Sequence, residues 1–203
     1  MNHHDLQPPQ PLPYPDNWLI RKLFKMPVLL YRLNLGALFG RHILILSTTG
    51  RKTKHLRRTP VEYFKQNNRI YIISGFGSRP DWYKNIQADP HVTLQTHNEV
   101  IFAVARPPQK QEEWLDVVEY LKHSPVPTPD FKKQIDALDQ AALLNSIKNW
   151  PVLTFDPAPE IRLQPLTPDL VWAWPLILLT KALIILVGWL IQRNKPGKSL
   201  RNY

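Results

Sequence analysis

The sequence of 203 residues contains no cysteine, and it has no acidic residue between Asn17 and Val61. The absence of cysteine excludes disulfides, a thiol nucleophile and thiolate metal sites. The glycine spacing does not match a P-loop, and the polar, proline-rich N-terminus does not resemble a signal peptide. The sequence therefore predicts neither a bound metal nor a secretory leader.

The net charge of +10 lies entirely in the stretch that lacks acidic residues. Residues 17–61 contain ten basic residues, and the rest of the chain contains 16 basic and 16 acidic ones. A block of this kind attracts phosphates, polyanionic ligands or anionic lipid headgroups. Nucleic acid is not an expected partner, because no aromatic residues are interleaved with the cations of residues 51–58 and the acidic residues elsewhere repel a long polyanion.

Residues 1–169 divide into four segments by composition. Residues 1–16 form a proline-rich lead-in that we expect to be disordered. Residues 17–36 predict an amphipathic basic helix, kinked at Pro27, that either packs on the main domain or lies on a membrane surface. Residues 37–156 then form the main domain, and residues 157–169 a proline-rich linker.

Within the main domain, the hydrophobic pattern predicts short strands and a few helices. Asp81 is the expected N-cap of the first helix, and Gln66-Asn67-Asn68 reads as a hairpin turn. The predicted strands are 43–48, 59–65, 69–74, 92–96, 99–105 and 152–155, and the predicted helices are 81–88, 109–123 and 131–147. This order favours a mainly β domain with flanking helices (α+β), built as a small antiparallel barrel.

Residues 170–191 are apolar on every side of a helix, with Lys181 as their one charge and Pro175 as their one proline. A helix of this length reaches roughly 33 Å, enough for a hydrocarbon core of about 30 Å. We expect it to cross or anchor to a membrane. The alternatives are a helix lying in the interface and burial in a dimer. Residues 192–203 follow as a basic tail.

The segment Ser47 to Pro60 combines a strand end, a hydroxyl-rich turn with Gly50 at its tip, and five cations. Glycine allows a ligand to approach the backbone closely, and arginine and lysine bind phosphate. The turn therefore predicts a phosphate-binding site, with an ordinary solvated basic hairpin as the alternative.

Four blocks of sequence occur in a familiar order. They are Leu44–Thr53, Arg58-Thr59-Pro60, Ser74-Gly75-Phe76-Gly77 and Asp81–Val92. Together they resemble the deazaflavin-dependent nitroreductase family, a branch of the flavin/deazaflavin oxidoreductases with a split β-barrel of the FMN-binding type. The resemblance spans about residues 35–155 and implies coenzyme F(420) as the cofactor. FMN stays the alternative, because Phe76 stands where better-known members have a lysine.

The resemblance also implies which residues form the site. Ser74 or Tyr83 would donate a hydrogen bond to the acceptor and so act in catalysis. The cofactor-binding residues would be Thr49, Gly50, Arg51, Lys52, Thr53, Arg57, Arg58, Ser74, Gly75, Phe76, Gly77, Trp82 and Asn85.

The function implied is an F(420)-dependent oxidoreductase that transfers a hydride to a quinone or nitro compound. The apolar helix adds membrane lipid as a partner, with the catalytic domain in the cytoplasm. A homodimer is an open alternative to a monomer. Two other functions remain: a non-catalytic flavin or deazaflavin carrier at the membrane, and a membrane-surface scaffold without a cofactor.

Overall fold

The computed structural model describes residues 17–38, 42–123, 129–160 and 163–193. The strands in this part of the chain are β1 (Ile43–Thr49), β2 (Leu56–Glu62), β3 (Phe64–Gln66), β4 (Arg69–Ile73), β5 (His91–Gln95), β6 (Val100–Arg106) and β7 (Val152–Pro157). The α-helices are α1 (Trp18–Leu23), α2 (Met26–Arg32), α3 (Asp81–Ala88), α4 (Gln111–His123), α5 (Pro129–Ala137), α6 (Gln140–Ile147) and α7 (Trp174–Arg193). Short 3-10 helices cover Gly36–Leu38 and Val171–Ala173.

The seven strands form one sheet in the order β2-β1-β5-β6-β7-β4-β3, and all neighbours are antiparallel. Residues of β2 approach β4 within 8 Å between Cα atoms, although no ladder joins these two strands. The sheet is therefore curled but open, which is the mainly β, split-barrel fold with flanking helices that the sequence predicts.

Alternation along β1 explains how the sheet is covered on both faces. Leu44 and Leu46 point into the barrel core with Ile72 and Leu94, whereas Ile45 points outward against Tyr31 of α2. A separate apolar cluster forms where α4, α5 and α6 pack on β3, β4 and β7. Because successive side chains of a strand face opposite ways, one apolar run such as 43–46 serves two layers.

The hairpin between β3 and β4 closes through Asn67 and Asn68, whose φ angles are 46° and 64°. Both residues lie in the left-handed region that a two-residue type I′ turn requires, and asparagine tolerates that region better than most residues. The predicted hairpin at Gln66–Asn68 is thus confirmed.

Several boundaries differ from the sequence prediction. β2 begins three residues earlier than expected, and Tyr63 interrupts the predicted strand 59–65 before β3. The predicted helix 131–147 is two helices, because Asp139 caps α6 through its side chain, which accepts from the Ala142 amide at 2.7 Å. Asp81 is the first residue of α3, and the N-cap is Pro80.

The N-terminal helical segment also differs from a single kinked helix. The chain leaves α1 after Leu23, and α2 starts at Met26 with Pro27 in its first turn. Proline fits that position because its missing amide hydrogen has no helical acceptor there. The break therefore precedes Pro27.

Residues 163–170, here called the strap, run along the outer face of the sheet. Leu166 is buried, and its amide donates to Gln95 Oε1 at 2.7 Å while Gln95 Nε2 donates to the Leu166 carbonyl at 2.9 Å. Thr93 Oγ1 donates to the Leu163 carbonyl at 2.6 Å. Although the composition of this segment predicts a linker, these contacts fix the strap to β5.

After the strap, the chain continues into the long helix α7. Val171–Leu190 is long and apolar enough to cross a membrane, with a mean hydropathy of 2.0, and no part of it is buried against the described residues. The helix starts beside α2: the Trp174 indole Nε1 donates to the Leu33 carbonyl at 3.1 Å, and the Leu170 amide to the Arg32 carbonyl at 3.0 Å.

Candidate functional site

The loop that joins β1 to β2, residues 50–55, is here called the basic turn. The Gly50 amide donates to the His55 carbonyl at 2.8 Å, and the Lys54 amide donates back to the Gly50 carbonyl at 2.7 Å. A Cβ at position 50 would lie 3.0 Å from the His55 carbonyl oxygen and 3.1 Å from Thr53 Oγ1. The turn is therefore wound too closely for any other residue at Gly50 without a shift of its neighbours.

Asn85 on α3 holds the basic turn in place through hydrogen bonds. Its side-chain oxygen accepts from the Arg51 amide at 3.1 Å and from Arg51 Nη1 at 3.2 Å, and its Nδ2 donates to Thr48 Oγ1 at 3.4 Å. Arg51 Nη2 also donates to Asp81 at 3.0 Å. Arg51 thus connects the turn to α3. Asn85, which is 4% exposed, belongs to the same hydrogen-bond network.

An open cavity lies beside Arg51 and Asn85. Its volume of about 710 Å³ is within the usual range for small-molecule sites. Six basic residues line it against one acidic residue, and three aromatic rings contribute the apolar part. The lining residues are Lys22, Phe24, Lys25, Gly50, Arg51, Lys52, Thr53, Arg57, Arg58, Thr59, Pro60, Phe76, Pro80, Asp81, Trp82 and Asn85.

The structure brings most of the predicted cofactor-binding residues to this cavity. Those that line it are Gly50, Arg51, Lys52, Thr53, Arg57, Arg58, Phe76, Trp82 and Asn85. Phe76 contacts Phe24 edge-to-face with ring centroids 6.2 Å apart, and Trp82 lies edge-on to Tyr83. The predicted phosphate-binding turn and the predicted α3 residues therefore face one space.

The remaining predicted residues do not line the cavity. The Ser74 hydroxyl donates to the Gly77 carbonyl at 2.6 Å and closes the turn that contains Gly75, with Gly77 at a φ of 66°. Tyr83 packs against the barrel core, and burial raises the pKa of its phenol. The Ser74 hydroxyl is thus hydrogen-bonded within its own turn, and Tyr83 packs on the core. The catalytic role predicted for these two residues stays a prediction.

Thr49 likewise points away from the cavity, toward the segment after α3. Although burial works against it, hydrogen bonds from His91 and Thr49 hold the pKa of Asp89 below its usual value. The His91 Nδ1 lies 2.7 Å from Asp89 Oδ1. Thr49 therefore anchors the loop between α3 and β5.

The N-terminal helical segment also contributes to the site, although the sequence pattern did not predict this. Lys22 and Phe24, at the end of α1, and Lys25, just before α2, form one wall of the cavity. The acid-free stretch from Asn17 was the available signal, because it already placed these lysines and the basic turn in one charge block. What it could not show is that the helices fold over the β2 edge.

Arg58 provides a test of whether this site suits an anionic ligand. Its Nη2 donates to the Gln164 and Pro165 carbonyls of the strap at 3.3 and 3.2 Å. Its buried Nε has no hydrogen-bond partner among the described residues, and neither has Ser47 Oγ on the paired position of β1. An unsatisfied buried guanidinium nitrogen at a cation-lined cavity fits a ligand that carries phosphate and carboxylate oxygens.

Within the described residues there is no group of three or more histidine or acidic side chains that could hold a metal ion. The one acidic residue at the cavity, Asp81, is exposed and paired with Arg51. The side chains of the site can therefore bind, position and neutralise an anion, while redox chemistry requires a cofactor.

Comparison with known proteins agrees with this chemistry. The family model of the F(420)H(2)-dependent quinone reductases matches residues 29–128. The match runs from within α2 to just beyond α4, and it contains every cavity-lining residue except Lys22, Phe24 and Lys25.

Three solved structures also match part of the chain. A structure described as an F(420)-H(2)-dependent reductase is 24% identical, covers 57% of this chain and 95% of its own, and has a TM-score of 0.39. A putative pyridoxamine 5′-phosphate oxidase from Listeria innocua is 12% identical, with coverage of 61% and 89% and a TM-score of 0.39. HutZ, a haem storage protein from Vibrio cholerae, is 13% identical, with coverage of 64% and 90% and the same TM-score.

At these identities and TM-scores, the functions of the solved proteins do not extend to this chain. The family match rests on the sequence of residues 29–128 itself, and it includes the basic turn, α3 and the Ser74–Gly77 turn. Residues 29–128 therefore belong to the F(420)H(2)-dependent quinone reductase family, and the protein is an oxidoreductase whose cofactor is coenzyme F(420).

Proposed function

We propose that this protein is a membrane-anchored reductase that passes a hydride from reduced coenzyme F(420) to a lipid-soluble quinone-type acceptor. The observation that carries the proposal is the cavity, which is lined both by cations of the basic turn and β2 and by the aromatic rings of Phe24, Phe76 and Trp82. When bound, the reduced deazaflavin supplies the hydride from its ring carbon 5. The protein supplies binding, orientation and exclusion of water.

Among the cations that line the cavity, three side chains are available for the phosphate and the glutamate tail of the cofactor. Lys52 and Arg57 are exposed at the cavity. Arg57 Nη2 donates a hydrogen bond to Thr53 Oγ1 at 3.2 Å. Arg58 also lines the cavity and adds a third positive charge. Arg51 acts differently, because its guanidinium is already held by Asn85 and Asp81 and keeps the turn in place.

The aromatic part of the lining comes from Phe76 in the turn before α3, from Trp82 on α3 and from Phe24 just after α1. Flat apolar side chains suit a ring system and a quinone stacked on it, because aromatic rings pair favourably in offset or edge-on contacts. Asp81 is the single acidic residue there, so proton delivery to the acceptor is left to water or to the acceptor's own surroundings.

The exposed apolar helix α7 supports a lipid-soluble acceptor over a water-soluble nitro compound. Anchoring the domain to the bilayer raises the local concentration of substrates that dissolve in it. In this arrangement, the domain and its acceptor share one membrane surface.

The cations that line the cavity predict how cofactor binding responds to mutation. In the Lys52→Ala/Arg57→Ala double variant, we expect coenzyme F(420) to bind about tenfold more weakly or worse, ~1.4 kcal/mol, because two charge-assisted contacts are lost. Binding is measured by fluorescence titration of the protein in mild detergent. The matched control, Lys110→Ala/Lys148→Ala, removes two exposed cations far from the cavity and should leave the affinity within about twofold.

Two results would count against this assignment. Equal affinity of the double variant and the wild type would remove the basic turn from the site. Binding of FMN as tight as that of coenzyme F(420) would argue against the deazaflavin specificity. Raising the salt concentration should weaken wild-type binding more than binding of the double variant, because ions screen the attraction that the variant has lost.

The acceptor is tested with the full chain reconstituted in phospholipid vesicles and supplied with reduced coenzyme F(420). We expect turnover of a long-chain isoprenoid quinone in the bilayer to exceed turnover of a water-soluble nitroaromatic at least about tenfold, by analogy with the gain from tethering. Reduction of the nitroaromatic with no reduction of the bilayer quinone would refute the proposed acceptor and leave the cofactor assignment intact.

A further inference from the structure

The helices α1 and α2 expose more apolar surface than a folded domain usually leaves in water. Ile20, Leu23, Phe24, Met26 and Leu29, here called the apolar patch, are all exposed, with Leu23 the most open at 57%. Ile20 and Leu23 share one face of α1, Phe24 directly follows this helix, and Met26 and Leu29 share one face of α2. A set of exposed apolar side chains on two consecutive helices marks an interaction site.

The charges around the apolar patch favour an anionic partner. Lys22 and Lys25 flank it, and the whole stretch from Asn17 to Val61 lacks an acidic residue. Apolar side chains with basic neighbours on short helices are typical of elements that lie in the headgroup layer of a bilayer.

The position of α7 supports the same partner. Four hydrogen bonds fix the N-terminal end of α7 and the residues before it to the C-terminal end of α2. Trp174 donates to the Leu33 carbonyl, and the Leu170 amide donates to the Arg32 carbonyl. Arg32 Nε and Nη2 form a bidentate pair with Asp169, at 2.7 and 2.8 Å. Leu166 of the strap is buried beside Tyr31 of α2. A helix that enters the membrane at Trp174 would therefore hold α2 at the membrane surface.

From these observations we infer that the apolar patch, with Lys22 and Lys25, binds the headgroup layer of an anionic phospholipid bilayer beside the point where α7 enters it. The inference rests on the membrane anchoring proposed above and adds an orientation to it. Because Lys22, Phe24 and Lys25 also line the cavity, the cavity opens at the bilayer surface. A lipid-soluble acceptor then reaches the site along Phe24 and Phe76 without crossing bulk water.

The absence of cysteine allows a direct test, because single cysteines can be labelled specifically. The full chain is reconstituted in vesicles as the variants Leu23→Cys, Met26→Cys, Leu183→Cys and Gln111→Cys, each labelled with an environment-sensitive fluorophore. Positions 23 and 26 report the apolar patch, position 183 reports α7, and position 111 is an exposed control at the start of α4. Quenching by nitroxide lipids then gives the depth of each label.

We expect labels at 23 and 26 to be quenched by shallow nitroxides at least threefold more than the label at 111. On vesicles that contain phosphatidylglycerol, this quenching should exceed that on pure phosphatidylcholine at least twofold. Labels at 23 and 26 as accessible to water as the label at 111, with position 183 quenched, would overturn the inference and leave the anchor standing. An unquenched label at 183 would overturn both.

Discussion

Replacing Asn85 by leucine is expected to destabilise the protein by about 2 kcal/mol and to weaken coenzyme F(420) binding by more than about tenfold. The buried Asn85 oxygen accepts from the amide and the guanidinium of Arg51, and its Nδ2 donates to Thr48. Leucine would leave these groups without partners inside the fold, which costs more than the loss of an exposed hydrogen bond. The basic turn would also lose the contact that holds it over the cavity.

Urea unfolding and F(420) titration in detergent measure the two effects separately. Asn85→Asp keeps the acceptor for Arg51 and loses the long bond to Thr48, so it should retain most of the stability and affinity. Gln87→Leu makes a similar change on an exposed position of α3 and should shift the free energy of unfolding by less than about 0.5 kcal/mol. If Asn85→Leu binds the cofactor as the wild type does, the turn does not need α3 to bind it.

The second large effect is expected at Glu113 on α4, which does not line the cavity. This carboxylate is 1% exposed. Arg106 donates to both of its oxygens, at 3.0 and 2.8 Å, and the Gln109 and Lys110 amides donate to Oε2 at 2.7 and 3.2 Å. The Arg106 hydrogen bonds outweigh burial and lower the pKa of Glu113 from 4.5 to about 2.

A pKa that is lower in the folded state gives a stabilisation that is present above the unfolded value and is lost as the pH falls through the folded one. For Glu113 this stabilisation is about 3 kcal/mol, complete above about pH 5 and lost between pH 4.5 and 2. We expect Glu113→Gln to unfold more easily than the wild type by about 3 kcal/mol at pH 7. The difference between the two should shrink toward zero near pH 2.

Chemical unfolding at a series of pH values checks this expectation. Glu112→Gln is the matched control, because Glu112 is a neighbouring exposed carboxylate whose contact with Arg69 is long, at 3.8 Å. It should change the stability by less than about 0.5 kcal/mol at every pH. A Glu113→Gln difference that is the same at pH 7 and pH 2.5 would show that packing, and not the charge, carries the effect.

Short-range patterns predicted most of the sheet. The apolar run that begins at Ile43 and the Asn67-Asn68 turn are each decided by residues adjacent in sequence, so β1 and β4 appear close to where they were expected. The basic turn was also predicted, because Gly50 and its cations act within six residues. The break at Asp139 was missed, since a capping side chain competes with helix continuation only once the neighbouring helices are packed.

The sequence alone determined the charge block, the antiparallel character of the sheet, the apolar length of α7 and the resemblance that identifies the cofactor. Only the tertiary structure decided that Arg51 holds Asn85 across 34 residues, that α1 forms a cavity wall, and that Trp174 meets Leu33 across 141 residues. The physical reason is that a side chain's partner at long range depends on how the strands are ordered in the sheet. Periodicity and composition describe each segment, but they do not state which segments become neighbours.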